Sequence, residues 1–247
     1  MRGMKRKDTL ACQVSLGLFA GILGIASTAH GMPIHDGGGA NHDGVRVGGA
    51  TGTTASGMNI TSSSDNNVIG WKDFSIKKEE TVQFDQKNYL NIVTGNVTSR
   101  IDGTMTGGKN VYIANTHGVI FGKEAKVDVG NLYVTTRKMD AESYTTPPDM
   151  DTPLITAKAT TKQSHETAKA DIVSLVDGAG NQLKANKIVM EGKSVRILND
   201  ENIQSNDVYA LADTRALTAG GKTVRDYTGY VHIGHSGDTK PPSGADK

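Results

Sequence analysis

Val111-Tyr112-Ile113-Ala114-Asn115-Thr116-His117-Gly118-Val119-Ile120-Phe121-Gly122 is the stretch that decides the architecture. Two short apolar clusters, Val111 to Ile113 and Val119 to Phe121, flank an irregular link, Asn115 to Gly118. Each cluster is too short for a helix, and Val111-Tyr112-Ile113 alternates with the period of two that defines a strand. The same unit recurs on both sides. Val82-Gln83-Phe84, Val127-Asp128-Val129 and Leu132-Tyr133-Val134 each set two large apolar residues on one side of a strand, so one face is expected to be buried and the other can be wet. Val68-Ile69, Phe74 with Ile76, Leu90 to Val93 and Ile101 complete a series bounded by Gly, Asn, Asp or Lys.

Clusters this frequent leave no room for βαβ units. Two architectures remain: an antiparallel sandwich of hairpins, or a solenoid whose short strands stack at about 4.8 Å from coil to coil. Two-residue hairpin loops of the Asp-Gly type are scarce, Asp102-Gly103 and Asp177-Gly178 being the clearest. Links such as Gly122-Lys123-Glu124-Ala125-Lys126 suit a chain that only bends round corners. The reading is therefore all-β, a parallel β-helix in the form of a single-stranded β-solenoid.

Further clusters at Ile172 to Val176, Ile188 to Met190, Val195 to Leu198, Val208 to Leu211 and Tyr230 to Ile233 predict more coils. The Thr-, Lys- and Pro-rich residues 141–170 predict a loop excursion from the stack. Residues 30–43 read as a flexible Gly-rich N-terminus, 44–234 as the β-helix domain and 235–247 as a disordered tail. Val45-Arg46-Val47 and Met58-Asn59-Ile60 alternate enough to supply a cap strand or two.

Composition agrees with strands and turns: the 247 residues include 30 glycines, and aromatics make up only 5%. With 27 Lys plus Arg against 26 Asp plus Glu there is no basic footprint, which removes nucleic acid as a partner. Arg2, Lys5, Arg6 and Lys7, the apolar run from Leu10 to Ile25 and the small residues Ser27-Thr28-Ala29 read as a signal peptide over residues 1–29. Its removal takes away the lone Cys12, so disulfides and thiol chemistry are absent from the exported chain, and turns the +1 of the whole sequence into a mature net charge of −2.

The segment from Asn59 to Arg137 resembles the N-terminal two-partner secretion domain (haemagglutination activity domain) of filamentous-haemagglutinin-like exoproteins. Carrying the resemblance are Asn67-Val68-Ile69-Gly70-Trp71-Lys72-Asp73-Phe74-Ser75-Ile76, Glu80 to Phe84, Ile92 to Gly95, Ser99 to Thr104, the signature Val111 to Gly122, and Ala125 to Leu132 ending in Thr135-Thr136-Arg137. Order and spacing agree over the whole stretch. Thr116 and His117 stand where the family writes proline and a second asparagine, which removes a fixed φ and weakens the left-handed preference of the turn. The family's Asn-Pro-Asn-Leu motif is absent.

The resemblance implies a right-handed β-helix with short extra-helical β elements. It also implies passage through the periplasm to the cell surface or medium, and recognition by the periplasmic domains of an outer-membrane transporter barrel. On this reading Asn115, Thr116, His117, Gly118, Val119 and Phe121 form the recognition and nucleation segment, Trp71, Phe74 and Phe84 are stack core, and Asn67 is a turn former. Adhesion or haemagglutination is the associated activity. The alternatives are a short adhesin that binds host glycans directly and, less favoured, a β-helix polysaccharide-degrading enzyme.

No catalytic residues, cofactor or metal site are expected. Asp85, Asp102 and Asp128 lie among turn residues or on polar strand faces and do not converge as an acid and base must. His35 with His42, and His232 with His235, lack a third ligand at a recognisable spacing. Trp71 as an exposed sugar-stacking residue is weighed against a core position, which the pattern favours.

Overall fold

The computed structural model describes residues 31–36, 45–49, 57–137, 172–175, 180–198, 202–212, 215–219, 222–226 and 231–233. The leader, His42, Asp177-Gly178, the excursion over 141–170, His235 and the tail lie outside them.

Strands follow one another as short cap strands and then as a repeating unit of three. The caps are β1 (Ile34–His35) and β2 (Val45–Gly49). The first rung holds β3 (Gly57–Ser62) and β4 (Asn66–Asp73); the second β5 (Thr81–Phe84), β6 (Asn88–Val93) and β7 (Ser99–Ile101). The third holds β8 (Thr104–Gly107), β9 (Asn110–Asn115) and β10 (Val119–Phe121). The fourth holds β11 (Lys126–Asp128), β12 (Asn131–Thr135) and β13 (Ile172–Leu175), and the fifth β14 (Gln182–Lys184), β15 (Lys187–Gly192) and β16 (Ser194–Ile197). The sixth rung has β17 (Ile203–Gln204), β18 (Asp207–Ala212), an extra-helical hairpin β19 (Arg215–Ala219) with β20 (Lys222–Asp226), and β21 (Val231–Ile233).

Equivalent strands of successive rungs pair in parallel and build three sheets: an entry face (β3-β5-β8-β11-β14-β17), a long face (β4-β6-β9-β12-β15-β18) and a return face (β7-β10-β13-β16-β21). The return face of the first rung is a single parallel bridge, Ile76 to Ile101. This is a parallel β-solenoid, and no α-helix occurs among the described residues. Asp102-Gly103 is a corner between return and entry faces, because the strands it joins belong to different sheets. Among the described residues antiparallel pairing is confined to β1 on β4, β2 on β3 and the β19–β20 hairpin, so the start of the stack is capped on two faces.

The interior column is aliphatic and aromatic: Ile69, Trp71, Phe74, Ile76, Val82, Phe84, Ile101, Val111, Ile113, Val119, Phe121, Leu132, Val134, Ile188, Met190, Val195 and Ile197 are all buried. At roughly 25 cal/mol per Å2, such burial is the main term holding a disulfide-free stack together. Outward residues on the entry face are wet, as Gln83 and Asp128 show. The long face departs from the expected alternation of buried and wet sides. Val68, Leu90, Ile92, Tyr112, Ala114, Tyr133 and Val189 point away from the interior yet form a second buried cluster, with Tyr112 and Tyr133 rings 5.6 Å apart. Consecutive apolar residues such as Val68-Ile69 and Leu132-Tyr133-Val134 therefore mark strands covered on both sides.

Candidate functional site: the signature corner and its supporting ladder

The chain leaves the long face at Asn115 and joins the return face at Val119. Asn115 is fully buried. Its Nδ2 donates to the carbonyl of Val97 (2.9 Å) and to Ser99 Oγ (2.9 Å), both in the equivalent corner of the rung below. Its Oδ1 accepts from the backbone N–H of His117 (2.8 Å), and its carbonyl accepts from Gly118 N–H (3.1 Å). One amide thus closes its own turn and staples the third rung to the second. Gly118 lies at φ +98°, a conformation that disfavours any side chain, and its carbonyl accepts from Ser99 N–H (3.0 Å). The Thr98 hydroxyl donates to His117 C=O (2.6 Å). Lacking the family's proline, this turn is held by hydrogen bonds to its neighbour.

Of the six residues assigned to recognition and nucleation, Asn115, Gly118, Val119 and Phe121 are buried, Thr116 is half-buried and His117 is exposed. The Thr116 hydroxyl and His117 Nδ1 lie 3.2 Å apart at the surface. The segment is one corner with a buried framework and a two-residue outward tip.

Trp71 lies inside, its indole N–H donating to Asn91 Oδ1 (2.9 Å) and its ring edge-on to Phe74 (5.3 Å) and to His35 of the cap (5.7 Å). It is not an exposed platform for a sugar. Phe84 packs on Tyr89 at 4.9 Å. The Tyr89 hydroxyl donates to Asp85 Oδ1 (2.6 Å), and burial, with that carboxylate added, holds its phenol far above the usual range. Asn67 closes the turn between β3 and β4: its Oδ1 accepts from Ser62 Oγ (2.5 Å) and its Nδ2 donates to the carbonyls of Ser64 (3.0 Å) and Asn88 (3.2 Å).

The three aspartates each serve a local bond. Asp85 accepts from Ser62 N–H (2.9 Å) and Tyr89, Asp102 pairs with Arg100, and Asp128 pairs with Lys184 (2.9 Å). No group of three or more His, Cys, Asp or Glu side chains suited to a metal ion occurs among the described residues.

Two features escaped the sequence. The first is an asparagine ladder at the corner between entry and long faces, running through all six rungs. Asn88 Nδ2 donates to Asn66 Oδ1 (2.7 Å), Asn110 to Asn88 (2.8 Å), Asn131 to Asn110 (2.6 Å), Asn186 to Asn131 (3.4 Å) and Asn206 to Asn186 (2.7 Å). Every bond points the same way, from the later rung to the earlier. Asparagine at or just before the start of one long-face strand after another, 20 to 22 residues apart except for the 55 residues from Asn131 to Asn186, was the available signal. The second is the partner of the Thr135-Thr136-Arg137 ending. Arg137 Nε pairs with the fully buried Glu191 of the next rung, Tyr133 donates its hydroxyl to the same carboxylate, and Thr136 N–H donates to Glu191 C=O (3.0 Å).

A stack with a capped start and a stapled corner in its third rung defines the class as a parallel β-solenoid. The family model for the TPS (two-partner secretion) secretion domain matches residues 36–238, and the chain belongs to that family. It is a TPS secretion domain, a class of domain exported by two-partner secretion. Among curated proteins it is similar to a heme/hemopexin-binding protein of Haemophilus influenzae, 38% identical over 93 residues, covering 36% of this chain and 10% of that protein. The corresponding protein of H. influenzae strain Rd is 34% identical over 87 residues, covering 34% of this chain and 10% of the relative. Each match thus spans about a tenth of the relative's length. Neither the family nor these relatives belong to enzyme families.

Proposed function

We propose that the corner from Asn115 to Phe121 is the element through which this domain is handed to its transporter and from which the stack then grows. The observation supporting this is the division of labour in the corner. Thr116 and His117 face outward, where periplasmic domains of a barrel can reach them, while the Asn115 amide ties two rungs together. Before folding, the same segment is an extended strand with free N–H and C=O groups, suited to pairing with a strand of the transporter's soluble domains. After passage, the third rung closing on the second supplies the nucleus on which later rungs stack, each burying apolar surface without ATP.

Adhesion or haemagglutination is an expectation from the family resemblance, and the buried Trp71 lends no support to direct glycan binding. The likeness to the heme/hemopexin-binding proteins covers a tenth of their length, so it supports a shared export route and not a shared ligand.

The test is capture of unfolded mature chain by the purified periplasmic domains of the cognate barrel. Wild type and Phe84→Leu should be retained, and the joint change Thr116→Ala, His117→Ala, Val119→Ser should weaken retention at least about tenfold, a loss of 1.4 kcal/mol. Equal retention of all three would refute the assignment.

A further inference from the structure

The two ends of the solenoid differ. At the start, β1 and β2 cover the edges, and Met32 packs against the core. The sixth rung carries the four large hydrophobics exposed among the described residues: Val208 (41%), Tyr209 (46%), Val231 (39%) and Ile233 (56%). Val208, Val231 and Ile233 continue the interior columns of Ile188, Val195 and Ile197, all buried one rung earlier. Tyr209 continues the outer column of Tyr133 and Val189, steadied by the Lys187 ammonium 5.9 Å from its ring centroid. Among the described residues β18 is paired along one edge only. The asparagine ladder arrives at this end with its polarity unbroken: Asn206 Nδ2 is spent on Asn186, which leaves Oδ1 as the outward acceptor.

We infer that the sixth rung is a strand-accepting site selective for a parallel segment of the form Asn-x-apolar-apolar-apolar, whose asparagine donates to Asn206 Oδ1 while its next residues cover Val208, Tyr209 and Ala210. The pattern is the one the last two rungs themselves carry, Asn186-Lys187-Ile188-Val189-Met190 and Asn206-Asp207-Val208-Tyr209-Ala210. Continuity of the stack supplies the geometry, since five successive pairings along the ladder corner already join rungs in this orientation. Selectivity comes from two terms. Covering Val208, Tyr209 and Ala210 supplies affinity, and the amide bond fixes register, because a one-residue slip carries the incoming asparagine away from Asn206 Oδ1. The inference rests on the proposal that the stack grows by addition of rungs, and it names what the growing end accepts.

A synthetic peptide carrying the fifth-rung sequence, Gly180 to Ile197, serves as the probe. It is added at up to millimolar concentration to the folded mature protein, and amide hydrogen exchange and fluorescence anisotropy are followed. Expected are saturable binding and new protection of β18 and β21. The Asn186→Asp peptide, which has no amide to donate, should bind about five- to tenfold more weakly, and the protein variant V208E/I233E, altered only at exposed positions, should fold normally and not bind. Absence of protection at the highest peptide concentration would overturn the inference, as would equal binding of the two peptides. So would a concentration-dependent dimer of the protein that V208E/I233E abolishes without any peptide binding. Transporter capture is read independently: loss of peptide binding with capture intact sinks this inference alone, and loss of capture with peptide binding intact sinks the recognition proposal alone.

Discussion

Replacing Asn115 by alanine removes three hydrogen bonds made by a fully buried side chain: two donated to the Val97 carbonyl and Ser99 Oγ, and one accepted from His117 N–H. A net intramolecular hydrogen bond contributes about 1 kcal/mol, but a buried group left without a partner costs about 1–3 kcal/mol. The Ser99 hydroxyl can rotate to a new partner, whereas the Val97 carbonyl and the His117 N–H cannot move without opening the turn. The expected loss is about 3–5 kcal/mol, a large part of a typical domain stability of about 5–15 kcal/mol. For a domain of this size that corresponds to a fall in Tm of about 10–15 °C. Thermal and urea unfolding of purified mature protein measure it, with His117→Ala, an exposed change, as the control that should stay within about 0.5 kcal/mol. Asn115→Asp should do no better than alanine, because it keeps only the acceptor and buries a charge. A loss below about 1 kcal/mol for Asn115→Ala would refute the idea that this amide staples two rungs.

Asn110→Ala in the middle of the ladder deletes one donated and one accepted bond and should cost about 1–2 kcal/mol by urea unfolding, against less than about 1 kcal/mol for Asn206→Ala at the end. Glu191→Ala strands the Arg137 guanidinium in a buried site and should destabilise by about 3–5 kcal/mol; a smaller effect than that of Asp128→Ala, whose ion pair is exposed, would contradict the described burial. Gly95→Ala drives a Cβ into the Lys72 carbonyl, a backbone atom that cannot swing aside, and should reduce the yield of folded protein on refolding. The Tyr89 phenol has its folded pKa raised above the unfolded value near 10, so its contribution is complete below pH 10 and declines as pH rises further, when only the unfolded chain releases the proton. Tyr89→Phe should flatten the alkaline fall of stability, and an unchanged pH profile would show that the phenol is not shielded.

The alternation in Val82-Gln83-Phe84 and Val127-Asp128-Val129, together with the want of hairpin turns, was enough to read stacked parallel strands, because each feature is local and the same short alternation recurs cluster after cluster. Asn59 to Arg137 also carried the family. What remained hidden is non-local. The Asn66 to Asn206 ladder looked like a set of separate turn formers, since nothing in one strand shows that its asparagine meets the asparagine of the next. Glu191 lies 54 residues beyond Arg137, so the ending Thr135-Thr136-Arg137 had no visible partner. The second cluster on the long face was missed for another reason: Tyr112 and Tyr133 carry hydroxyls and pass for residues of a wet face, yet both are buried. At the signature corner the sequence marked an irregular link between two strands but not its division into a buried amide framework and the outward pair Thr116 and His117.

The most direct test co-expresses the chain with its cognate outer-membrane barrel and compares protein in the medium with protein retained in the cell, for wild type, His117→Ala and the double variant N115A/G118V. Wild type and His117→Ala should reach the medium, His117→Ala at no less than about a tenth of wild type, a difference within 1.4 kcal/mol. The double variant should be synthesised normally and held in the cell. Undiminished double variant in the medium would contradict the claim that this corner governs export.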